Sequence, residues 1–174
     1  MLYKLISKTT PLLSKKEIKN ICILKDTQWK YGIKSQLNWY KKNIKKEDIH
    51  NLLFINSKLT GYTLLRKRTC FVNKVKKKYL LFDTLMLDKK YRNKKSSNLI
   101  MYFDNEIIKQ KKMLSFLICK KASIKFYKRF NWKLLNNNNI LVPDHSFSTY
   151  SMIYNNNVQI SSTLKYTFYI DKHF

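Results

Sequence analysis

LFDTLMLDKKYRNKKSSNLIMYF, residues 81–103, is the stretch whose reading decides the fold. An apolar, strand-like run breaks at Asp88 into a basic turn. An amphipathic helix then begins, with Leu99, Ile100, Phe103 and Ile107 on one stripe. A helix start exposes unpaired N–H groups and a partial positive charge, and a turn that ends there can cradle a phosphate or pyrophosphate. Arg92, Lys94 and Lys95 add full charge at the junction, and Ser96, Ser97 and Asn98 are plausible caps or first-turn residues. The plainer reading of the same residues is an ordinary capped helix with solvated lysines.

Outward from the junction, the periodicity gives a short first strand at 2–6. A helix over about 15–25 follows, opened by Ser14 and Glu17 in the S-x-x-E relation of a capping box. A second helix fits 35–44. Residues 51–56 and 60–68 flank the turn SKL as a hairpin, with Gly61 allowing a bulge or a close backbone approach. A long strand over 77–87 has imperfect alternation, as in a strand buried on both faces. A helix over 96–111, a strand at 113–119, a helix through KKASIKFYKRF and a strand at NWKLL follow. NNNN at 136–139 is a turn. Strands at 147–154 and within 158–170 close the chain. The order β-α-α-β-β-β-α-β-α-β-β predicts a mixed α/β fold with one central sheet.

The 174 residues suit a single domain over 1–174, and 44% apolar with 14% aromatic residues excludes a disordered chain. No apolar run approaches the roughly 20 residues of a membrane helix, and the start MLYKLISKTTPLLSKKE does not read as a signal peptide. Cys22, Cys70 and Cys119 lie far apart without a CxxC spacing, which points to reduced thiols and a cytoplasmic setting. His50, His145 and His173 make no ligand pair with one another or with the cysteines, so no metal is expected. The net charge of +26 admits a polyanion partner such as nucleic acid. Its lysines are scattered, however, in a chain heavy in Lys, Asn and Ile, as AT-rich coding would give, and a nucleic-acid partner is not favoured.

LMLDKKYRNKKSSNLIM resembles the acyl-CoA-binding segment of the GCN5-related N-acetyltransferase superfamily, whose pattern is Q/R-x-x-G-x-G/A directly after a strand. Arg92 falls on the Q/R position, Lys95 on the first Gly and Ser97 on the Gly/Ala. Downstream, ASIKFYKRFNWKLL, residues 122–135, resembles that family's second signature, in which an F-Y pair precedes a G-F pair. The specific match covers about 80–135, and 155–174 looks like a β extension beyond the usual core. Lys95 stands where a glycine lets the backbone turn tightly beneath the pyrophosphate. Lys120 stands where many members carry a cofactor-bonding Asn. Asn131 replaces the Gly of the G-F pair, and Asn tolerates left-handed backbone angles.

The resemblance implies the acyl-CoA N-acyltransferase fold: a single mixed, mostly antiparallel central sheet flanked by helices. It implies transfer of the acetyl group of acetyl-CoA to a primary amine of a small molecule, an amino sugar or nucleotide-linked amino sugar being the weak preference. The strand 79–87 would splay from 113–119, and pantetheine would pair with backbone near Leu85 and Leu87. Residues Arg92, Asn93, Lys94, Lys95, Ser96, Ser97 and Asn98 would hold the pyrophosphate, with Lys120 also at the cofactor. Asp83 would take the amine proton and Tyr127 would protonate the departing thiolate. Trp29, Tyr31 and Trp39 would wall the acceptor, although core or lid packing is the plainer reading of both tryptophans. The C-terminal strands could pair two copies as a homodimer. The alternative is a catalytically weak or inactive protein of the same fold that binds RNA or another polyanion.

Overall fold

The computed structural model describes residues 1–92, 94–143, 150–155 and 164–170, the side chains of Lys94 and Asn137 excepted. The elements run β1 (Tyr3–Thr9), α1 (Lys15–Asp26), α2 (Ile33–Asn43), β2 (Ile49–Ile55), β3 (Lys58–Val72), β4 (Val75–Leu87) and α3 (Lys94–Gln110). Then come β5 (Ser115–Cys119), α4 (Ile124–Lys128), β6 (Lys133–Leu134), β7 (Ile140–Leu141), β8 (Tyr150–Tyr154) and β9 (Tyr166–Phe168). The strand order is β1-β2-β3-β4-β5-β8-β6, with β9 paired to β3 and β7. The β4–β5 and β7–β9 pairs are parallel; β1–β2, β2–β3, β3–β9, β5–β8 and β6–β8 are antiparallel. This is the expected mixed, mostly antiparallel sheet with flanking helices. No described helix is long and apolar enough to cross a membrane.

Two hairpin turns are asparagine-built. Asn56–Ser57 joins β2 to β3 and Asn73–Lys74 joins β3 to β4, all four residues at positive φ (47, 64, 47 and 68°). A two-residue hairpin turn of this kind has positive φ at both centres, and Asn is among the side chains that tolerate it most readily. A chain with 2 glycines therefore turns on asparagine instead.

The chain groups into two compact units, Met1–Arg66 with Asp83–Asp104, and Lys67–Phe82 with Asn105–Phe174. In the first, the Ser14 side chain accepts from Glu17 N–H while the Glu17 carboxylate accepts from Ser14 N–H, closing the expected capping box. α1 then buries Ile21, Cys22 and Leu24 against Tyr40, Leu52, Tyr62, Leu64 and Met86. Between β2 and β3 the register steps from Leu53↔Gly61 to Phe54↔Leu59, leaving Thr60 as a bulge. A Cβ on Gly61 would lie 2.8 Å from Leu87 Cδ2 and 3.0 Å from Leu53 Cβ, so the residue provides the close approach, beside a bulge that falls on Thr60. His50 is held between two hydroxyls. Thr10 Oγ1 donates to the Lys45 carbonyl at 2.6 Å, so it accepts from His50 Nε2–H at 3.0 Å. His50 Nδ1 then accepts from the Tyr62 hydroxyl at 2.9 Å.

Asp104 of α3 is fully buried. Its Oδ1 accepts from Thr63 Oγ1 at 2.6 Å and from Asn51 Nδ2, whereas its Oδ2 meets no donor among the described residues. Burial pushes the carboxyl up to about 7, against the two hydrogen bonds that favour the charge. A folded-state pKa above the unfolded one gives stability that is present in full below about pH 4 and lost as pH rises through 7. The wild type should therefore lose stability relative to Asp104→Asn as pH rises from 5 to 8. At pH 8 the variant should be the more stable by about 2 kcal/mol, a discounted share of what such a shift is worth. The difference between the two melting curves isolates Asp104 from His50, whose burial drives its pKa down to about 4 and acts in the opposite direction. Parallel curves across that range would remove the assignment.

The second unit is aromatic. Phe116 stacks on Phe168 at 3.8 Å and Tyr79 meets Phe168 edge-on at 5.0 Å. Cys70, Leu81, Ile153 and Tyr166 complete this cluster. Asn105 ties α3 to the segment after α4: its Nδ2 donates to the Phe130 carbonyl at 2.9 Å and its Oδ1 accepts from Trp132 Nε1 at 3.1 Å. Asn131 sits at φ 63°, the left-handed angle anticipated for it. Cys22, Cys70 and Cys119 are buried free thiols.

Several expected boundaries move. β1 reaches Thr9 rather than residue 6, because its full length pairs with β2 from Tyr3↔Ile55 to Thr9↔Ile49. α3 starts at Lys94 rather than 96, which places Lys95, Ser96, Ser97 and Asn98 inside the helix instead of in the turn before it. The helix expected through 120–130 is a 3-10 turn at Lys121–Ser123 followed by α4. Of the C-terminal extension, β9 pairs with β3 at Cys70↔Phe168 to Val72↔Tyr166. The expected strand residues 147–149 and 158–163 lie outside the described residues.

Candidate functional site

In the first unit, β3 and β4 present Arg66 and Asp83 to each other. Arg66 Nη1 donates to Asp83 Oδ2 at 3.1 Å, its Nη2 donates to the Asn43 carbonyl at 2.9 Å, and its Nε lies 4.0 Å from Asp48 Oδ2. All three charged side chains are at least 95% buried, with relative exposures of 1, 5 and 0% for Arg66, Asp83 and Asp48. Asp48 also caps its own loop, accepting from Lys45 N–H at 2.9 Å, and Thr84 Oγ1 donates to Asp83 at 3.3 Å. Burial, working against the Arg66 and Lys25 cations, holds the Asp83 carboxyl above its usual range. The partner of Asp83 is an arginine in a chain dominated by lysine. The planar fork of an arginine can serve several acceptors at once.

Trp29 and Trp39 come together in the same neighbourhood, around Lys25. The Lys25 ammonium lies 3.7 Å from the Trp39 ring centroid and 5.8 Å from that of Trp29, and the Arg66 guanidinium is 5.7 Å from the Trp39 ring. Gln36 Nε2 pins the segment by donating to the Trp29 carbonyl at 2.9 Å. Trp39 is half-buried and Trp29 is 38% exposed, whereas Tyr31 is 72% exposed and takes no part in the ring contacts around Lys25.

Midway along β4, the parallel ladder with β5 covers Leu80↔Ser115 and Leu81↔Phe116. β4 runs on from Phe82 to Leu87 beyond it. Asp88 then caps a 3-10 turn, accepting from Lys90 N–H at 3.0 Å, and receives the Lys58 ammonium at 2.9 Å. Arg92 Nη2 donates to Gln28 Oε1 at 3.1 Å and to the Leu87 carbonyl at 3.3 Å. The Lys95 ammonium lies over the Tyr3 ring at 4.7 Å, which carries that side chain towards β1. Ser96 is buried, Ser97 and Asn98 are half-buried, and Leu85 packs on the cluster of Leu53, Leu87 and Ile100. Asn93 and the Lys94 side chain lie outside the described residues.

In the second unit, Tyr127 of α4 is half-buried among rings: Phe82 at 6.1 Å and Phe126 at 5.1 Å edge-on, and Trp132 at 6.1 Å. Its carbonyl accepts from Phe130 and Trp132 N–H, which closes α4 through Asn131. Lys120 is exposed and opens the 3-10 turn before α4.

No family model and no curated protein matches the sequence. Solved structures do match its fold. An acyl-CoA N-acyltransferase from Pseudomonas aeruginosa superposes with a TM-score of 0.65 at 10% identity, covering 87% of this chain and 99% of that one. Escherichia coli ElaA gives 0.64 at 11% identity over the same shares. YhbS, a GNAT family N-acetyltransferase from Escherichia coli in complex with CoA, gives 0.64 at 10% identity, over 88% of this chain and 82% of that one. This chain has the acyl-CoA N-acyltransferase fold.

Within that acyltransferase fold, the sequence had marked Trp29, Trp39 and Asp83 but not the two cations among them. Lys25 carried a readable signal: with Ile18, Ile21 and Cys22 it occupies the i, i+3, i+4, i+7 stripe that α1 buries. Arg66 carried one too, since it shares a strand face with the buried Tyr62 and Leu64. A charge in an apolar register marks a side chain that the fold buries rather than solvates.

Proposed function

We propose that this chain is an N-acetyltransferase that moves the acetyl group of acetyl-CoA to a primary amine of a small molecule, by direct attack in a ternary complex. One observation carries the reading. The strand β4 outlasts its ladder with β5 and runs, through the turn capped by Asp88, into the N-terminus of α3. A strand with unspent backbone followed by a helix start suits an extended thioester arm ending in a diphosphate.

Pantetheine then pairs with β4 near Leu85 and Leu87, and a backbone N–H near Leu85 polarises the thioester carbonyl. Main-chain N–H groups over Lys94–Ser97 hold the pyrophosphate, aided by the charge of Arg92. The Lys95 ammonium rests on Tyr3, which supports a role for this residue through its backbone, in place of the motif's glycine. Asp83 receives the amine proton through water, the C–N bond forms as the C–S bond breaks, and Tyr127 gives a proton to the departing thiolate. The aromatic Trp29–Trp39 segment suits an amino sugar or another small amine with a flat or ring-shaped body.

Thermal melting tests the reading directly. Acetyl-CoA at about 100 times its dissociation constant should stabilise the fold by roughly 2.7 kcal/mol. No shift with acetyl-CoA, beside a clear and salt-sensitive shift with RNA, would instead favour a polyanion-binding protein, the use that the +26 charge offers.

A further inference from the structure

We infer that Lys25 anchors an anionic group, a carboxylate or a phosphate, carried by the acyl acceptor; the assignment to an acceptor rests on the acetyltransferase reading. Lys25 is 8% exposed, yet its ammonium makes no hydrogen bond or ion pair among the described residues. Its near neighbours are the indole rings of Trp39 and Trp29. The two carboxylates of the cluster do not serve it within hydrogen-bond distance, because Arg66 holds Asp83 at 3.1 Å and lies 4.0 Å from Asp48. Three N–H donors thus sit at an aromatic face with no acceptor for them among the described residues, at the tip of a side chain that is mostly buried. An ammonium so placed gains from any anion that pairs with it. Burial already pulls its pKa down, with the Asp83 charge opposing, as expected for a cation short of partners.

The surroundings say what would complete it. An anion can take the donors of Lys25. Trp29, at 38% exposure, offers an indole face to the body of the same ligand. The chain's +26 charge raises the local concentration of any anionic small molecule. Asp83 lies near enough to raise the pKa of Lys25, so an acceptor anchored here brings its own amine towards the carboxylate proposed as base. A neutral amine of the same shape would leave the Lys25 donors unpaired, and that difference gives selectivity.

Matched probe pairs test the inference on the full chain, read by quenching of tryptophan fluorescence. Phenylalanine against phenethylamine isolates a carboxylate; glucosamine 6-phosphate against glucosamine isolates a phosphate. The anionic member of at least one pair should bind about ten-fold or more tightly, the worth of one well-placed charged contact. Lys25→Gln should abolish that preference and Lys25→Arg should keep it, while Lys4→Gln, at an exposed position of β1, should leave it unchanged. Equal binding within both pairs, no binding of any probe, or a preference that survives Lys25→Gln would each overturn the inference. Lys25→Met serves in place of Lys25→Gln if the amide variant does not fold. A coenzyme A titration alongside separates the two ideas. CoA bound without anion preference sinks this inference alone; anion preference without CoA binding supports the anion anchor and sinks the acetyltransferase reading.

Discussion

Replacing Tyr127 with phenylalanine is expected to lower kcat by about 10²-fold or more, the contribution of a positioned proton donor. The affinity for coenzyme A should stay within about two-fold, since an interaction made only in the transition state leaves ground-state binding alone. The variant is informative because of what surrounds the ring. Tyr127 packs edge-on against Phe82 and Phe126 and lies beside Trp132, contacts that phenylalanine retains in full. Its backbone carbonyl, which accepts from Phe130 and Trp132, is untouched by the change. The substitution thus keeps the ring packing and removes the hydroxyl, and the melting temperature reads what that hydroxyl contributes to the fold. Steady-state kinetics with acetyl-CoA and an accepted amine, with thermal melting beside them, separate the outcomes. Unchanged kcat would remove the acid role, and a fall in kcat matched by a fall in melting temperature would reassign the residue to packing.

Replacing Arg66 with methionine should destabilise the fold by about 3–5 kcal/mol, the range for breaking a buried ion pair from one side. The guanidinium bonds Asp83, faces Asp48 and donates to the Asn43 carbonyl, so its loss takes the nearest countercharge from two buried carboxylates and a donor from a buried carbonyl. Attraction to Arg66 is among the forces that hold the Asp83 carboxyl down against burial. In the variant that pKa rises further. A raised folded-state pKa means stability lost as pH increases, so the deficit should be smaller at pH 5 than at pH 8. Adding Asp48→Asn and Asp83→Asn to the methionine variant should restore much of the loss, because neither buried carboxylate then carries a charge without the arginine. Urea unfolding at the two pH values measures all three quantities. A loss under about 1 kcal/mol, or one that ignores pH, would show that water already solvates the cluster.

The two cations matter for how legible the site was. Trp29, Trp39 and Asp83 stand out in the sequence by residue type and by position in the pattern. What they do depends on Lys25 and Arg66, which look like two among 36 basic residues until the backbone is folded. In a chain so rich in lysine, a solvated cation is the default reading. The exceptions are those that occupy a buried register: Lys25 on the apolar stripe of α1, and Arg66 on the inner face of β3.

The junction at residues 81–103 shows the other side of the same point. That a strand breaks at Asp88 and a helix follows is written in local chemistry. An aspartate caps the turn, an apolar stripe at helical spacing begins after it, and Asn131 replaces a glycine further on at the angle Asn accepts. Caps, turns and hydrophobic period act within a few residues, so the sequence alone determined the order of strands and helices apart from β7, the capping box at Ser14 and the irregularity beside Gly61. The helix start moved by two residues, because backbone hydrogen bonding, rather than the first apolar side chain, ends a turn. Only the tertiary structure decided that Lys25, Trp39, Asp48, Arg66 and Asp83 meet, that Asp104 is sealed against Asn51 and Thr63, and that β9 returns to β3. Those contacts join segments far apart in the chain. Their energy comes from burying charge and ring together, which no single segment can do by itself.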